Sequence, residues 1–150
     1  TRQRYCELVI KNLRHCIENK SLLLYAYVIM PSHFHLIARH DDSKLSDVIR
    51  DFKSFTAKEI LKMVESEPGE SRKEWLLHMF SYYAKYQKQN VKQMFWQKTN
   101  HPLELSYPDI IDQKVDYIHN NPVEAGYVLD PHSWMYSSAS DNRLLEVFEV

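Results

Sequence analysis

The sequence predicts one α+β domain, and three features carry that reading. Residues 3–19 space Leu8, Ile10, Leu13 and Ile17 as a helix does, with Lys11, Arg14 and Glu18 between them. Residues 21–30 and 33–39 are apolar, aromatic and β-branched runs split by Pro31-Ser32, which reads as two antiparallel strands across a tight connection. Helical spacing then returns three times. Ser43 reads as the N-cap of a helix to about Glu65, with Leu45, Val48, Ile49, Phe52, Ile60 and Met63 on one stripe. After a polar loop at 65–70, residues 71–89 read as a further helix, and Phe95-Trp96-Gln97 as the start of a strand or extended segment. Ser106-Tyr107-Pro108-Asp109 has helix-start character, and the helix that follows is expected to stop at Pro122, with Gly126 ending a short extra turn. No repeat, linker or low-complexity tract divides residues 1–150.

Composition narrows the function classes. The chain has two glycines and no Gly-rich phosphate loop, which disfavours nucleotide-binding folds built on one. Cys6 and Cys16 fall on one helix ten residues apart, too far along it to pair, and this fits a reducing compartment such as the cytoplasm. No apolar run is long enough to span a membrane and the start has no signal-peptide character, so no membrane partner is expected. The net charge of −1 conceals a division. Residues 1–70 carry eleven basic and ten acidic side chains, residues 71–100 six and one, and residues 101–150 two and nine. A polyanionic partner would therefore be met locally, at the basic middle.

Two pairs of residues can carry chemistry. In a strand His33 and His35 share a face while Phe34 points to the core, and two imidazoles side by side form half a site for a divalent metal. A pair of surface histidines on an amphipathic strand has the same pattern. In the helix ending near Pro122, Ile111, Val115 and Ile118 form the apolar stripe, with Lys114, Tyr117 and Asn121 along its flank. Tyr117 and Asn121 are four apart and adjacent in space, so a phenol nucleophile lies beside an amide oxygen able to ligate a metal. A half-buried tyrosine and a helix-stopping asparagine also fit. His119 falls on the other side of the stripe and is not expected to ligate.

Together these residues are recognisable. Tyr27-Val28-Ile29-Met30-Pro31-Ser32-His33-Phe34-His35-Leu36-Ile37 resembles the His-hydrophobe-His strand of the HUH single-strand DNA transposases. The run from Val115 to Val128, with Tyr117 and Asn121-Pro122, resembles the catalytic-tyrosine helix of that family and is most similar to its REP-associated tyrosine transposase branch. Trp134-Met135-Tyr136-Ser137-Ser138 resembles the W-x-Y-S-S of the same branch. The resemblance implies a ferredoxin-like antiparallel sheet with helices on one face, whose usual first strand, ahead of the first helix, is absent from this chain.

It also implies a metal-dependent single-strand endonuclease and strand transferase, acting on DNA able to form hairpins. A divalent ion, Mg²⁺ or Mn²⁺, would be held by His33, His35 and Asn121; Zn²⁺ would also suit imidazole. Tyr117 would attack the phosphate and form a 5′-phosphotyrosine. Members of the wider family work as homodimers, while the REP-associated branch can act alone. Lys114 reads as a phosphate contact or a group that lowers the phenol's pKa, or as a solubilising lysine. Residues 71–98 mix six cations, including Lys85, Lys88 and Lys92, with seven aromatic rings, which suits a single strand or an amphipathic core helix. Arg50 and Lys53 are further phosphate-contact candidates. Two other classes compete: a DNA- or RNA-binding module without catalysis, and a small-molecule metalloenzyme, for which no acid stands out as general base.

Overall fold

A computed structural model describes residues 2–87, 92–97 and 100–149. Along the chain run α1 (Arg2–Asn19), β1 (Leu23–Ile29), β2 (Phe34–Arg39), α2 (Leu45–Ser66), α3 (Lys73–Tyr86) and α4 (Pro108–Glu124), then a 3₁₀ turn at Pro131–Ser133. The class is α+β: β1 and β2 form an antiparallel pair, and helices pack on it. No described helix is long and apolar enough to cross a membrane.

The strands decide where everything else goes. Residues Ala26 to Met30 of β1 and its end are all buried, so the strand has no polar face and needs cover on both sides. Leu24, Tyr27 and Ile29 point to one side, where they pack with Val9, Leu13 and Cys16 of α1 and with Phe52, Ile60 and Val64 of α2. Ala26, Val28 and Met30 point to the other and meet Ile118 of α4, with Val115 and Ile37 beside it. A register shift between Leu24 and Ala26 lets Leu24 and Tyr27 share a face although they are three apart. Helices therefore cover both faces, not the single face that the ferredoxin-like reading expects.

β1 is also flanked on both edges. β2 pairs along one, from Leu23 opposite Arg39 to Ile29 opposite Phe34. Along the other lies the W-x-Y-S-S segment: Ile29 N donates to Tyr136 O (2.8 Å) and Ser138 N to Tyr27 O (2.9 Å). Ser138 Oγ accepts from Tyr27 N at 3.0 Å, and Trp134 Nε1 donates to Ile29 O at 3.0 Å. The wholly buried Tyr27 answers with its hydroxyl, which accepts from Leu144 N and Leu145 N, each at 3.2 Å. The tail motif is thus a clasp on the central strand.

Several local expectations change. Ser43 does not cap α2; it sits at φ 57°, in the left-handed region, and Lys44 takes the cap position with no side-chain bond. The buried ladder of α2 is Val48, Phe52, Thr56, Ile60 and Val64, a strict four-residue step, with Ile49 and Met63 half-buried beside it. Thr56 fits this apolar row because its hydroxyl donates to Phe52 O and meets Asn12 Nδ2. Residues 95–97 are not a strand. Phe95 packs on Phe80 at 5.4 Å and Trp96 on Phe34 at 5.1 Å between ring centroids, so consecutive side chains both point inward, which strand alternation forbids. α4 passes through Pro122 to Glu124. It ends where Gly126 takes φ +75° and the amides of Gly126 and Tyr127 bond back to Val123 O and Pro122 O, both at 2.9 Å, satisfying the last carbonyls.

The turn after α2 holds a carboxylate that polarity alone does not reveal. Glu70 is buried and accepts from Tyr5 Oη (2.9 Å), Arg72 Nε (3.1 Å) and Arg72 N (3.2 Å), tying α1 to the start of α3. The Arg72 hydrogen bond first, then that of Tyr5, holds its carboxyl below the usual range. Burial and then Glu70 push the Tyr5 phenol up to about 12.

Two outcomes follow from these contacts. Tyr27→Phe leaves the ring in place but orphans two amides, so the folding free energy measured by urea denaturation should fall by about 1–3 kcal/mol. Glu70 stabilises the fold above its unfolded pKa of about 4.3, and this contribution is lost as pH falls through the lower folded value. The parent's urea midpoint should therefore drop with acid below about pH 4.3, and Glu70→Gln should lower the midpoint at neutral pH and flatten that drop. An equally steep drop in the variant would remove Glu70 from this role.

Candidate functional site

The two faces of the sheet separate core from chemistry. In β2, Phe34, Leu36 and Ala38 pack toward α1 and α2, which leaves His35 and Ile37 on the side of α4. α4 lies across this side because Ile118 and Val115 fill the surface of Ala26, Val28 and Met30. Three residues beyond Ile118, Asn121 is buried at 9% exposure, and one turn before it Tyr117 stands 46% exposed. The strand pair and the helix pair thus meet.

The geometry of the meeting is close. His33, exposed just ahead of β2, has Nε2 at 3.1 Å from Asn121 Oδ1. The rings of His33 and His35 lie 5.2 Å apart, edge to face, and His35 meets the ring of Tyr117 at 5.5 Å in the same manner. Lys114 Nζ stands 5.8 Å from the centre of the Tyr117 ring, within cation–π reach. All four expected residues, His33, His35, Tyr117 and Asn121, are therefore neighbours, with Lys114 beside them.

Ser32 joins them, although the sequence marks it only as a strand breaker. Its Oγ lies 3.0 Å from His33 Nδ1. With Nδ1 accepting from the hydroxyl, Nε2–H donates to Asn121 Oδ1. With Nδ1–H donating to Ser32, the Nε2 lone pair is free for a cation, and a polar group on the far nitrogen is what fixes a metal-binding imidazole. His35 is half-buried; burial first, then the nearby His33, lowers its pKa, which favours the neutral ring that a metal ligand requires.

The donor set fits a divalent ion. The 3.1 Å between His33 Nε2 and Asn121 Oδ1 is close to the spacing, about 3 Å, of two adjacent ligands on an octahedral ion bound at about 2.1 Å. Among the described residues no three His, Cys, Asp or Glu side chains cluster, so a metal at this place would need the Asn121 amide oxygen as its third protein donor. Two imidazoles and an amide would leave a bound divalent ion's charge unneutralised, which would favour an anionic substrate.

Other candidate residues lie elsewhere. Arg50 is on α2, across the sheet from His35, with its guanidinium on Asp47 (2.8 Å) and Asp51 (3.1 Å). Lys53 is half-buried and donates to Gln97 O (2.6 Å) and Asn100 Oδ1 (2.8 Å), so it pins the segment after α3. Lys53 is thus engaged, while Arg50 stays exposed within surface ion pairs. Lys85 and Lys92 are exposed, in the last turn of α3 and beyond it, and Lys88 lies outside the described residues. The aromatic set divides. Phe80, Phe95 and Trp96 turn inward, while Trp75, Tyr82, Tyr83 and Tyr86 are exposed, with Tyr82 and Tyr86 stacked at 6.1 Å and 12°. His119 points away from the site, to Ser138 Oγ at 2.8 Å. No family model, curated protein or solved structure matches the chain.

Proposed function

We propose that this chain is a metal-dependent single-strand DNA endonuclease and strand transferase, with Tyr117 as nucleophile and His33, His35 and Asn121 as the holders of Mg²⁺ or Mn²⁺. The observation that carries the reading is the convergence of two imidazoles, an amide oxygen and an exposed phenol from a strand and a helix far apart in sequence. Bound there, the ion would supply positive charge to the non-bridging oxygens of a phosphodiester.

The side chains divide the remaining work. Tyr117 is exposed and reachable, while Asn121 is held by burial, so the attacking group meets substrate and the ligand stays fixed. The phenolic oxygen forms a bond to phosphorus, the bond from phosphorus to the 3′ oxygen breaks, and the phenol's proton is balanced by the new 3′-hydroxyl. The strand is left as a 5′-phosphotyrosine, and attack by another 3′-hydroxyl reverses the step, so no nucleotide triphosphate is required. Lys114 stands where a cation can meet the phosphate or the phenolate. The exposed, stacked Tyr82 and Tyr86 beside Lys85 offer rings for bases and charge for phosphates. All four site residues come from one chain, so a second copy is not needed to complete the site. The same α3 surface would serve a non-catalytic nucleic-acid-binding module, and that reading differs in forming no covalent adduct.

Metal binding is tested by calorimetric titration with Mn²⁺. The parent should bind, His35→Ala should abolish binding, and Ser32→Ala should weaken it about 10-fold or more through loss of the Nδ1 partner. Full binding by His35→Ala would sink the metal assignment. The nucleophile is tested with single-stranded hairpin DNA and Mn²⁺, followed by denaturing gels. Tyr117→Phe removes one oxygen and should abolish adduct and cleavage while strand binding and melting temperature stay put. Phe in place of any other tyrosine should leave the adduct intact. Cleavage by Tyr117→Phe would transfer the role to a metal-bound water.

A further inference from the structure

Past His33 the molecule contains a cavity of about 350 Å³. It wraps the end of the β1–β2 hairpin, and His33 is one of its lining residues. Its other walls include Phe34 from β2, Leu76 and Phe80 from α3, and Phe95 and Trp96 from the segment Lys53 pins. The rings stand edge to face, Phe34 to Trp96 at 5.1 Å and Phe95 to Trp96 at 4.7 Å. A volume near the lower end for ligand pockets, about 300 Å³, suits one planar ring system.

We propose that this cavity receives one nucleobase of the single strand whose phosphate lies at His33. The inference rests on the endonuclease reading and extends it. The phosphate and the base of one nucleotide are joined by a sugar, so a phosphate at an exposed imidazole places its base, or its neighbour's, within reach of a cavity that the same imidazole lines. Aromatic walls receive a π face of any base. The nucleotide next to the cleaved bond would be pulled out of any stack and held, which sets the strand's register against Tyr117.

The test measures binding alone, in the Tyr117→Phe background and without added metal. Fluorescence anisotropy compares a labelled 12-nucleotide thymidine strand with a strand of equal length that carries tetrahydrofuran at every position. The parent should prefer the base-bearing strand. Leu76→Phe, which fills the cavity, and Phe80→Ala, which removes a wall, should each cut that preference by about tenfold, the order of one lost base stack, and leave affinity for the abasic strand unchanged. Thermal melting confirms which variants fold; Leu76→Phe keeps the test open if Phe80→Ala does not. An unchanged preference in a folded variant overturns the pocket. Failure of the parent to bind either strand overturns it as well. The two readings fail separately. A chain with the expected preference whose Tyr117 never forms an adduct keeps the pocket and loses the nuclease, and a chain that forms the adduct with no change in preference loses the pocket alone.

Discussion

The structure depends on burying β1 from every side. Its residues leave no polar face, and its edges hold β2 and the tail segment around Tyr136 and Ser138. A strand in that position has its register fixed, because a slip of one residue would exchange Leu24, Tyr27 and Ile29 with Ala26, Val28 and Met30 between two differently shaped clusters. Fixing β1 fixes β2 through the ladder, and with it which residues of β2 face α4. The histidines are displayed by a constraint that acts on their neighbour strand.

Helix α4 answers the same constraint from the other side. It reaches the sheet through Ile118 and Val115, and the helical period then carries Asn121 toward His33 and Tyr117 toward His35. Apolar packing supplies the driving force and polar side chains take the positions it leaves. This also explains why the tail is built as a clasp. If Ser138 and Trp134 released Tyr27 and Ile29, the edge of β1 would open beneath the elements that hold the site together.

Short-range periodicity made much of this legible. The two-residue strand period placed His33 and His35 together, and the four-residue helix step placed Tyr117 beside Asn121, because both rules depend on backbone geometry alone. Their meeting across 88 residues follows from tertiary packing, and spacing cannot give it; only the motif resemblance suggested it. Charges were the least legible. Arg50 and Lys53 look like free cations in a string of letters, but one is held by Asp47 and Asp51 and the other by Gln97 and Asn100. Glu70 looks like loop polarity and is a buried joint between α1 and α3. Ser32 was missed because its contribution is to a tautomer, which no spacing rule registers. The helices cover both sheet faces because β1 has no polar side, a feature visible in its sequence.

The burial of α4 is graded along its length, and the grading matches what the proposed roles of its residues require. Its C-terminal end is the fixed end: Ile118, Asn121 and Pro122 are buried, and the Gly126 turn closes the last carbonyls. Toward its N-terminus the helix is more open, with Ile110 exposed, and Tyr117 near its middle is exposed as well. A ligand must be held rigidly, since a displacement well under an ångström spoils coordination, whereas a nucleophile must be reached by a strand that arrives from solvent. In the proposed roles, Asn121 at the anchored end and Tyr117 one turn toward the open end would satisfy both demands with a single helix. On that helix Asn121 meets His33, and the exposed Tyr117 meets His35 and Lys114.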